Sequence, residues 1–356
     1  MTRYLRELLV ALADAHPDDE WRLFVPGRAP LHLDRPANVT VRRHPLPGRV
    51  LFGAGAVAGR PRLDRLLGGG VLGGEVDVVW APTIAPLALS SGVPFVLTIQ
   101  DLSFELRPDD FTAYERAWHR LARPPALARR ADRVIVLAPP TRGQLVDRWG
   151  LDGARIEVIA PGVTVPHPGA APPTSPGAPP PSSPGAPPYF LAVGALEPRK
   201  APDLLVRAFT TARAQGLRAS LFFAGSGRLA GTLRADGVTL LGHVGEAELD
   251  ALYRGAVALV MPSLLEGYGL PVREALARGT PAIVSDLPVF GADLHPAVLR
   301  VPPGDEAALT VALLRVEREP GLRASLAAAA AGTVAALSWA EAARRTRAVL
   351  AEAARR

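Results

Sequence analysis

The chain contains a single lysine. Lys200 is one of 40 basic residues, and the rest are arginine. It follows Arg199 just past the apolar run Tyr189–Val193 and the turn Gly194-Ala195-Leu196-Glu197-Pro198, so two cations stand together at the carboxyl end of an expected strand. Open parallel sheets bind ligands at that end, and paired cations there suit a diphosphate. A second segment, from Pro262 to Ala275, follows the apolar run Val257–Met261. Its glycines, Gly267 and Gly269, let backbone approach a ligand, and Pro271 suits the first turn of a helix whose free amides would attract phosphate. Glu266 is expected on the loop and Glu274 in the helix's first turn, where carboxylates can accept paired hydrogen bonds from vicinal hydroxyls of a sugar or ribose. Each feature alone has a plainer reading: Arg199 and Lys200 as a solvated surface pair, Glu274 as an acid favoured by the helix dipole.

Other patterns argue against competing chemistries. Gly53-Ala-Gly55-Ala-Val-Ala58 imitates a dinucleotide fingerprint, but the strand before it would be very short and Gly59-Arg60-Pro61 interrupts the helix after it. Gly225-Ser226-Gly227 lacks the outer glycine spacing of a nucleophile elbow and reads as a turn. The seven histidines, at 16, 32, 44, 119, 167, 243 and 295, are never three to five residues apart, so no local zinc pair exists. Asp109-Asp110 reads as a helix start rather than a magnesium site. Zero cysteines exclude thiolate catalysis and a disulfide scaffold.

These residues need a scaffold. With 356 residues, 48% hydrophobic and 21% charged, the chain is globular and long enough for two domains of roughly 150 residues. Positions 166–188 are almost entirely Pro, Gly, Ala, Ser and Thr, with Ser-Pro-Gly-Ala-Pro-Pro at 175–180 and again at 183–188, and read as an extended spacer. Before it, strand candidates are Trp21–Val25, Val39–Val41, Val76–Trp80, Phe95–Ile99, Val134–Leu137 and Ile156–Ile159. After it they are Phe190–Val193, Leu221–Ala224, Val238–Leu241, Ala258–Met261 and Ala282–Ser285. Helical stretches separate several of these, as at 202–214, and three helices are expected after Pro303. The fold class is α/β, two doubly wound Rossmann-like domains facing across a cleft. No apolar run approaches the ~18 residues of a membrane span, and the first residues lack a signal-peptide pattern, so the chain is expected to be soluble or to sit on a surface; without cysteines to hint at an oxidising compartment, a cytoplasmic setting is the default, with peripheral contact at the inner membrane face left open. The formal charge of +6 is read as spread along the chain, which implies at most a weak pull toward an anionic surface and no nucleic-acid partner.

The sequence resembles the retaining glycosyltransferases of family 4, which have the GT-B fold. The resemblance rests on Val193 to Lys200, Phe223-Ala224-Gly225-Ser226-Gly227, Leu241-Gly242-His243-Val244 and the segment holding Glu266 and Glu274, which appear in family order. It extends to Thr98-Ile99-Gln100-Asp101-Leu102-Ser103-Phe104, Ala131-Asp132-Arg133-Val134 and Pro161-Gly162-Val163. It implies an acceptor-side domain at 1–165, the spacer at 166–188, a nucleotide-sugar-binding domain at 189–337 and, at 338–356, a helix that returns to the first domain. It also implies a mannosyltransferase-like enzyme of polysaccharide or lipid-linked glycan assembly, with a nucleotide diphosphate sugar as donor, GDP-mannose favoured, and neither metal nor cofactor. Gly194 would lie beside the donor. Arg199 and Lys200 would hold its diphosphate and Glu266 the transferred sugar. Gly267, Tyr268, Gly269 and Leu270 would offer backbone amides, Glu274 would hold the ribose, and backbone near His243 and Val244 would read the base.

Three departures from the family stand out. Gln100-Asp101 replaces the family's His-Asp, so an amide stands where an imidazole is usual and cannot take up a proton at neutral pH. Ala201 replaces an asparagine often seen after Arg-Lys. The chain opens on the helix beginning Thr2-Arg3-Tyr4, ahead of which the family has a strand and a glycine-bearing loop; the expectation is that in-frame sequence upstream of Met1 supplies them, the alternative being a truncated and impaired member. A catalytically weak member that only binds a nucleotide sugar in a glycan-assembly complex is the alternative function, and a GT-B nucleotide-sugar epimerase a more distant one.

Overall fold

The computed structural model describes residues 3–28, 36–68, 76–164, 188–291, 294–334 and 337–355. It divides into two compact units: residues 1–162 with 338–356, and residues 163–337. The spacer expected at 166–188 lies outside the described residues, apart from Pro188.

Among the described residues the first unit holds six strands, β1 (Trp21–Pro26), β2 (Val39–His44), β3 (Val79–Ala81), β4 (Phe95–Ile99), β5 (Arg133–Val136) and β6 (Ile156–Val158). They fall into two parallel sheets, β1-β2 and β3-β4-β5-β6. All five residues of β4 are buried, as expected of a central strand covered on both faces. The helix Arg3–Ala15 buries Tyr4, Leu8, Leu9 and Leu12 on one face. It packs against the last helix, Trp339–Ala354, where the rings of Tyr4 and Trp339 are 6.3 Å apart. Arg347 of that last helix donates two hydrogen bonds to Asp19, at 2.7 and 3.0 Å. Its hydrogen bonding holds the Asp19 carboxyl below the usual carboxylate range.

The second unit builds one sheet from β7 (Tyr189–Val193), β8 (Ser220–Ala224), β9 (Val238–Gly242), β10 (Ala258–Met261), β11 (Ala282–Ser285) and β12 (Val298–Val301). All of its pairings are parallel, in the order β12-β11-β10-β7-β8-β9. The helix Pro202–Ala214 buries Leu204, Leu205, Ala208, Phe209 and Ala212 against this sheet's core, the face read from the sequence. Three helices follow Pro303: Glu306–Arg318, Pro320–Thr333 and Trp339–Ala354.

Several details differ from the sequence reading. Strand β12 was absent from it, because Arg300 breaks the apolar run. Strand β3 begins at Val79 rather than Val76. Asp109 and Asp110 form a short 3-10 turn, and the helix instead starts at Ala113, where Thr112 and Glu115 close a capping box. Gly53 to Ala58, rejected above as a dinucleotide fingerprint, lie inside the helix Gly48–Ala58.

Candidate functional site

The site is assembled at the carboxyl ends of three adjacent strands of the second unit. Strands β10 and β7 run side by side in register Ala258↔Phe190, and β8 flanks β7, so the loops leaving all three emerge along one edge. Backbone hydrogen bonds lock these loops together. Gly194 N–H donates to Ala224 O, Leu196 N–H to Ser226 O, and Leu229 N–H to Leu196 O, each at 3.0 Å. Leu264 N–H donates to Arg199 O at 2.8 Å, joining the β10 loop to the β7 loop.

This interlocking explains two glycines. A Cβ on Gly225 would sit 1.9 Å from the Gly194 carbonyl oxygen, and its φ of +151° is itself a region L side chains avoid. A Cβ on Gly227 would meet the Leu196 backbone at 2.5 Å. Gly225-Ser226-Gly227 is thus the turn read from the sequence, and its glycines admit the neighbouring loop.

Within this frame Lys200 and Glu266, 66 residues apart in sequence, are joined by an ion pair from Nζ to Oε1. The hydroxyl of Ser263 donates to the same Oε1 at 2.7 Å. The carboxylate is nearly buried, its side chain 5% exposed against 17% for the lysine. A small pocket beside the pair is lined by Val193, Gly194, Lys200, Met261 and Ser263 among others. Arg199 has no hydrogen-bond or ion-pair partner for its guanidinium among the described residues, so the cluster keeps an uncompensated positive charge. Such a charge beside a nearly buried carboxylate can take an anionic group while the carboxylate accepts hydrogen bonds from hydroxyls.

Gly267, Tyr268 and Gly269 are buried and continue the loop into the helix Leu270–Leu276. Gly269 caps it at φ +76°, where a Cβ would come within 2.4 Å of the Phe290 ring. The guanidinium of the buried Arg273 stacks 3.9 Å from the Tyr268 ring centroid and donates to the Tyr268 carbonyl, which holds the loop from beneath.

Glu274 is not in the helix's first turn. With Leu270 as the first helical residue it is the fifth, and it is buried, 3% exposed. The Tyr253 phenol donates to its Oε2 at 2.9 Å. Arg278 extends this network: Nε donates to Asp250 at 2.7 Å, Nη1 to the Glu274 carbonyl at 2.8 Å and Nη2 to the Thr164 carbonyl at 2.9 Å. Burial raises the Asp250 carboxyl, but hydrogen bonds from Arg254 and Arg278 outweigh it and hold that carboxyl below its ordinary range.

His243 is exposed and Val244 half-buried, one and two residues beyond Gly242, which pairs with Gly225. Gln100 belongs to the first unit, just past β4, where its amide donates to the Pro82 carbonyl at 3.4 Å. Ala201 adopts a left-handed conformation, φ +49°, which asparagine tolerates better than alanine. Sequence reasoning missed Ser263, Tyr253 and Arg273. The Ser-x-x-Glu spacing of 263–266 was a signal for the first, since it is the spacing at which a serine and a glutamate meet in a capping box.

Two family models together span almost the whole chain. Glycosyltransferase Family 4 matches residues 1–166, and Glycosyl transferases group 1 matches residues 179–333. The chain belongs to this glycosyltransferase family. Among curated relatives, the family 4 chain is 47% identical over 85 residues to the O-antigen chain mannosyltransferase RfbU of Salmonella typhimurium, 24% of each protein. It is 32% identical over 234 residues to the D-inositol 3-phosphate glycosyltransferase of Salinispora arenicola, 59% of this chain and 52% of that one. The corresponding protein of Actinosynnema mirum is 34% identical over 230 residues, 59% and 54%. The match thus spans a quarter of the first relative's length and about half of the others'. Among solved structures, sucrose-phosphate synthase from Thermosynechococcus elongatus superposes with a TM-score of 0.72 at 19% identity, covering 98% of this chain and 92% of that one. WaaG, a glycosyltransferase involved in lipopolysaccharide biosynthesis, superposes at 0.69 with 14% identity, covering 98% and 96%. These likenesses establish the GT-B fold.

Proposed function

We propose that the chain transfers a hexose from a nucleotide diphosphate sugar, with GDP-mannose the favoured donor, to a glycan or lipid-linked acceptor, with retention and without a metal ion. The observation that carries this reading is the meeting of Lys200, Glu266 and Ser263 at the carboxyl ends of β7 and β10, with Arg199 beside them. The mannosyltransferase and inositol-phosphate glycosyltransferase among its relatives support the reaction class.

In this reading Arg199 and Lys200 neutralise the diphosphate. Glu266, oriented by Ser263, accepts hydrogen bonds from hydroxyls of the transferred sugar. Glu274 holds the ribose, amides of residues 267–270 face the phosphates, and backbone at His243 and Val244 meets the base. As the bond from the anomeric carbon to the phosphate oxygen breaks, its electron pair stays on the nucleoside diphosphate, and the fixed cations stabilise that charge. The acceptor oxygen bonds to the anomeric carbon from the same face, and its proton passes to the departing phosphate. No side chain has to take up a proton, so an amide at Gln100 is compatible with turnover.

Incubation with GDP- and UDP-sugars tests this. Nucleoside diphosphate released only with an acceptor, into a product of unchanged anomeric configuration, is the expected result. Lys200→Ala should lower kcat/KM about 100-fold, the scale of losing one preorganised charge donor. Tight donor binding with no release under any acceptor would overturn transfer in favour of a nucleotide-sugar-binding protein. Unchanged turnover in Lys200→Ala would remove the lysine from the mechanism.

A further inference from the structure

Glu274 is held by a residue of a different helix. Tyr253 lies on the helix Glu246–Gly255, is fully buried, and donates its phenol proton to Glu274 Oε2 at 2.9 Å. Its ring and backbone are fixed as well. The Arg278 guanidinium lies over the ring, 5.1 Å from the centroid, and the Thr280 hydroxyl donates to the Tyr253 carbonyl at 2.6 Å. Arg278 also donates to the Glu274 carbonyl and to Asp250, which stands on the same helix as Tyr253. One guanidinium thus ties the helix that carries the phenol to the helix that carries the carboxylate.

The chemistry of the pair suits a binding carboxylate. A buried phenol and a buried carboxylate are each costly without a hydrogen-bond partner, so each supplies what the other needs. A carboxylate offers about four lone-pair sites, and one phenol occupies one of them. Because the phenol is neutral, it orients Glu274 without cancelling its charge, whereas Glu266 is paired with the ammonium of Lys200. Glutamate loses much rotamer freedom when it is ordered, and a carboxylate fixed beforehand spares a ligand that cost.

We propose that Tyr253 is a positioning residue for the ribose of the donor: it fixes the Glu274 carboxylate, and through it sets the preference for ribonucleotides over deoxyribonucleotides. The inference rests on the reading of Glu274 as the residue that holds the ribose. A group that acts on the ribose holds the ground state and the transition state alike, because the ribose takes no part in bond breaking. Its signature therefore lies in binding and in KM rather than in kcat.

Calorimetric titration of the full chain with GDP, 2′-deoxy-GDP and 3′-deoxy-GDP, and with the same uridine series, tests it. The wild type is expected to bind the ribonucleotide about tenfold more tightly than at least one deoxy form, the scale of a hydrogen bond to a charged group. In Tyr253→Phe that preference should shrink to about twofold or less, and the donor KM should rise with kcat near the wild-type value. A purely structural defect would weaken all the nucleotides together and leave their ratio unchanged. In a Glu274→Gln background, Tyr253→Phe should lower GDP affinity no further, because the phenol acts through the carboxylate. If Tyr253→Phe unfolds by circular dichroism, that double variant, which leaves no buried carboxylate without its phenol, carries the test by the same comparison. The inference is overturned by a wild-type preference that survives in Tyr253→Phe, or by losses from the two substitutions that simply add. A wild type that binds ribo and deoxy forms equally overturns the ribose reading of Glu274 and this inference with it; a preference lost in Glu274→Gln but kept in Tyr253→Phe overturns the inference alone.

Discussion

The two units use the same parallel strand chemistry to different ends. The second closes six strands into one continuous sheet, and its loops at β7, β8 and β10 are tied to one another through backbone hydrogen bonds and facing glycines. The first divides six strands between sheets of two and four, and keeps its most exposed apolar helix on the surface. Side chains that must meet across 66 residues need loops that cannot drift, and only the second unit supplies them.

The largest effect is expected at Gly225. Replacing it with alanine places a methyl group against the Gly194 carbonyl and should destabilise the second unit by about 4 kcal/mol, the range of severe backbone and packing defects. Calorimetry would register this, and a shift within error would mean the loops are loosely joined. Next in size is Arg278→Ala, which leaves the buried Asp250 with only the half-exposed Arg254 and should cost about 3 kcal/mol. Exchange of Arg347→Ala in the first unit, whose ion pair with Asp19 is partly exposed, should cost no more than about 1 kcal/mol.

Ser263→Ala removes one hydrogen bond from Glu266 while Lys200 remains. A fall of about tenfold in kcat/KM with little change in melting temperature is expected, because one hydrogen bond to a charged group is worth about 1.5 kcal/mol. Restoration by Ser263→Thr would show that the hydroxyl is what matters.

Acid should act on the second unit more gently. The folded Asp250 carboxyl lies below its unfolded value near 3.9, so the stability it contributes is complete above that value and is lost as pH falls through the folded pKa. A melting profile of Asp250→Asn should therefore lose part of the wild type's steepness below about pH 4. The smallest effect is Gly53→Ala. It sits inside a helix with nothing within 4 Å of its added methyl group, and should stabilise the first unit by about 0.5–1 kcal/mol. A loss there would show that the open face of this helix is already covered.

Sequence alone determined the alternation of strands and helices, because continuous apolar runs such as Phe95–Ile99, Ala258–Met261 and Ala282–Ser285 have few other ways to be buried. It also singled out Lys200, Glu266 and the glycine turns, since rarity, position after a strand and missing side chains are all visible in one dimension. Which of these residues touch follows from how the strands and helices pack. Nothing local links Lys200 to Glu266, or Tyr253 to Glu274, because both pairs are made by strands and helices packing side by side. Glu274 falls just past the first turn for a related reason: the helix opens at Leu270, one residue before Pro271, and that start depends on the left-handed backbone of its cap, Gly269, packed against Phe290. Strand β12 needed β11 beside it to count as a strand, and Val50 and Val57 of the helix Gly48–Ala58 needed their surroundings to be recognised as uncovered. Contact and exposure are properties of what lies across space, and a one-dimensional pattern carries them only where the chain is its own nearest neighbour.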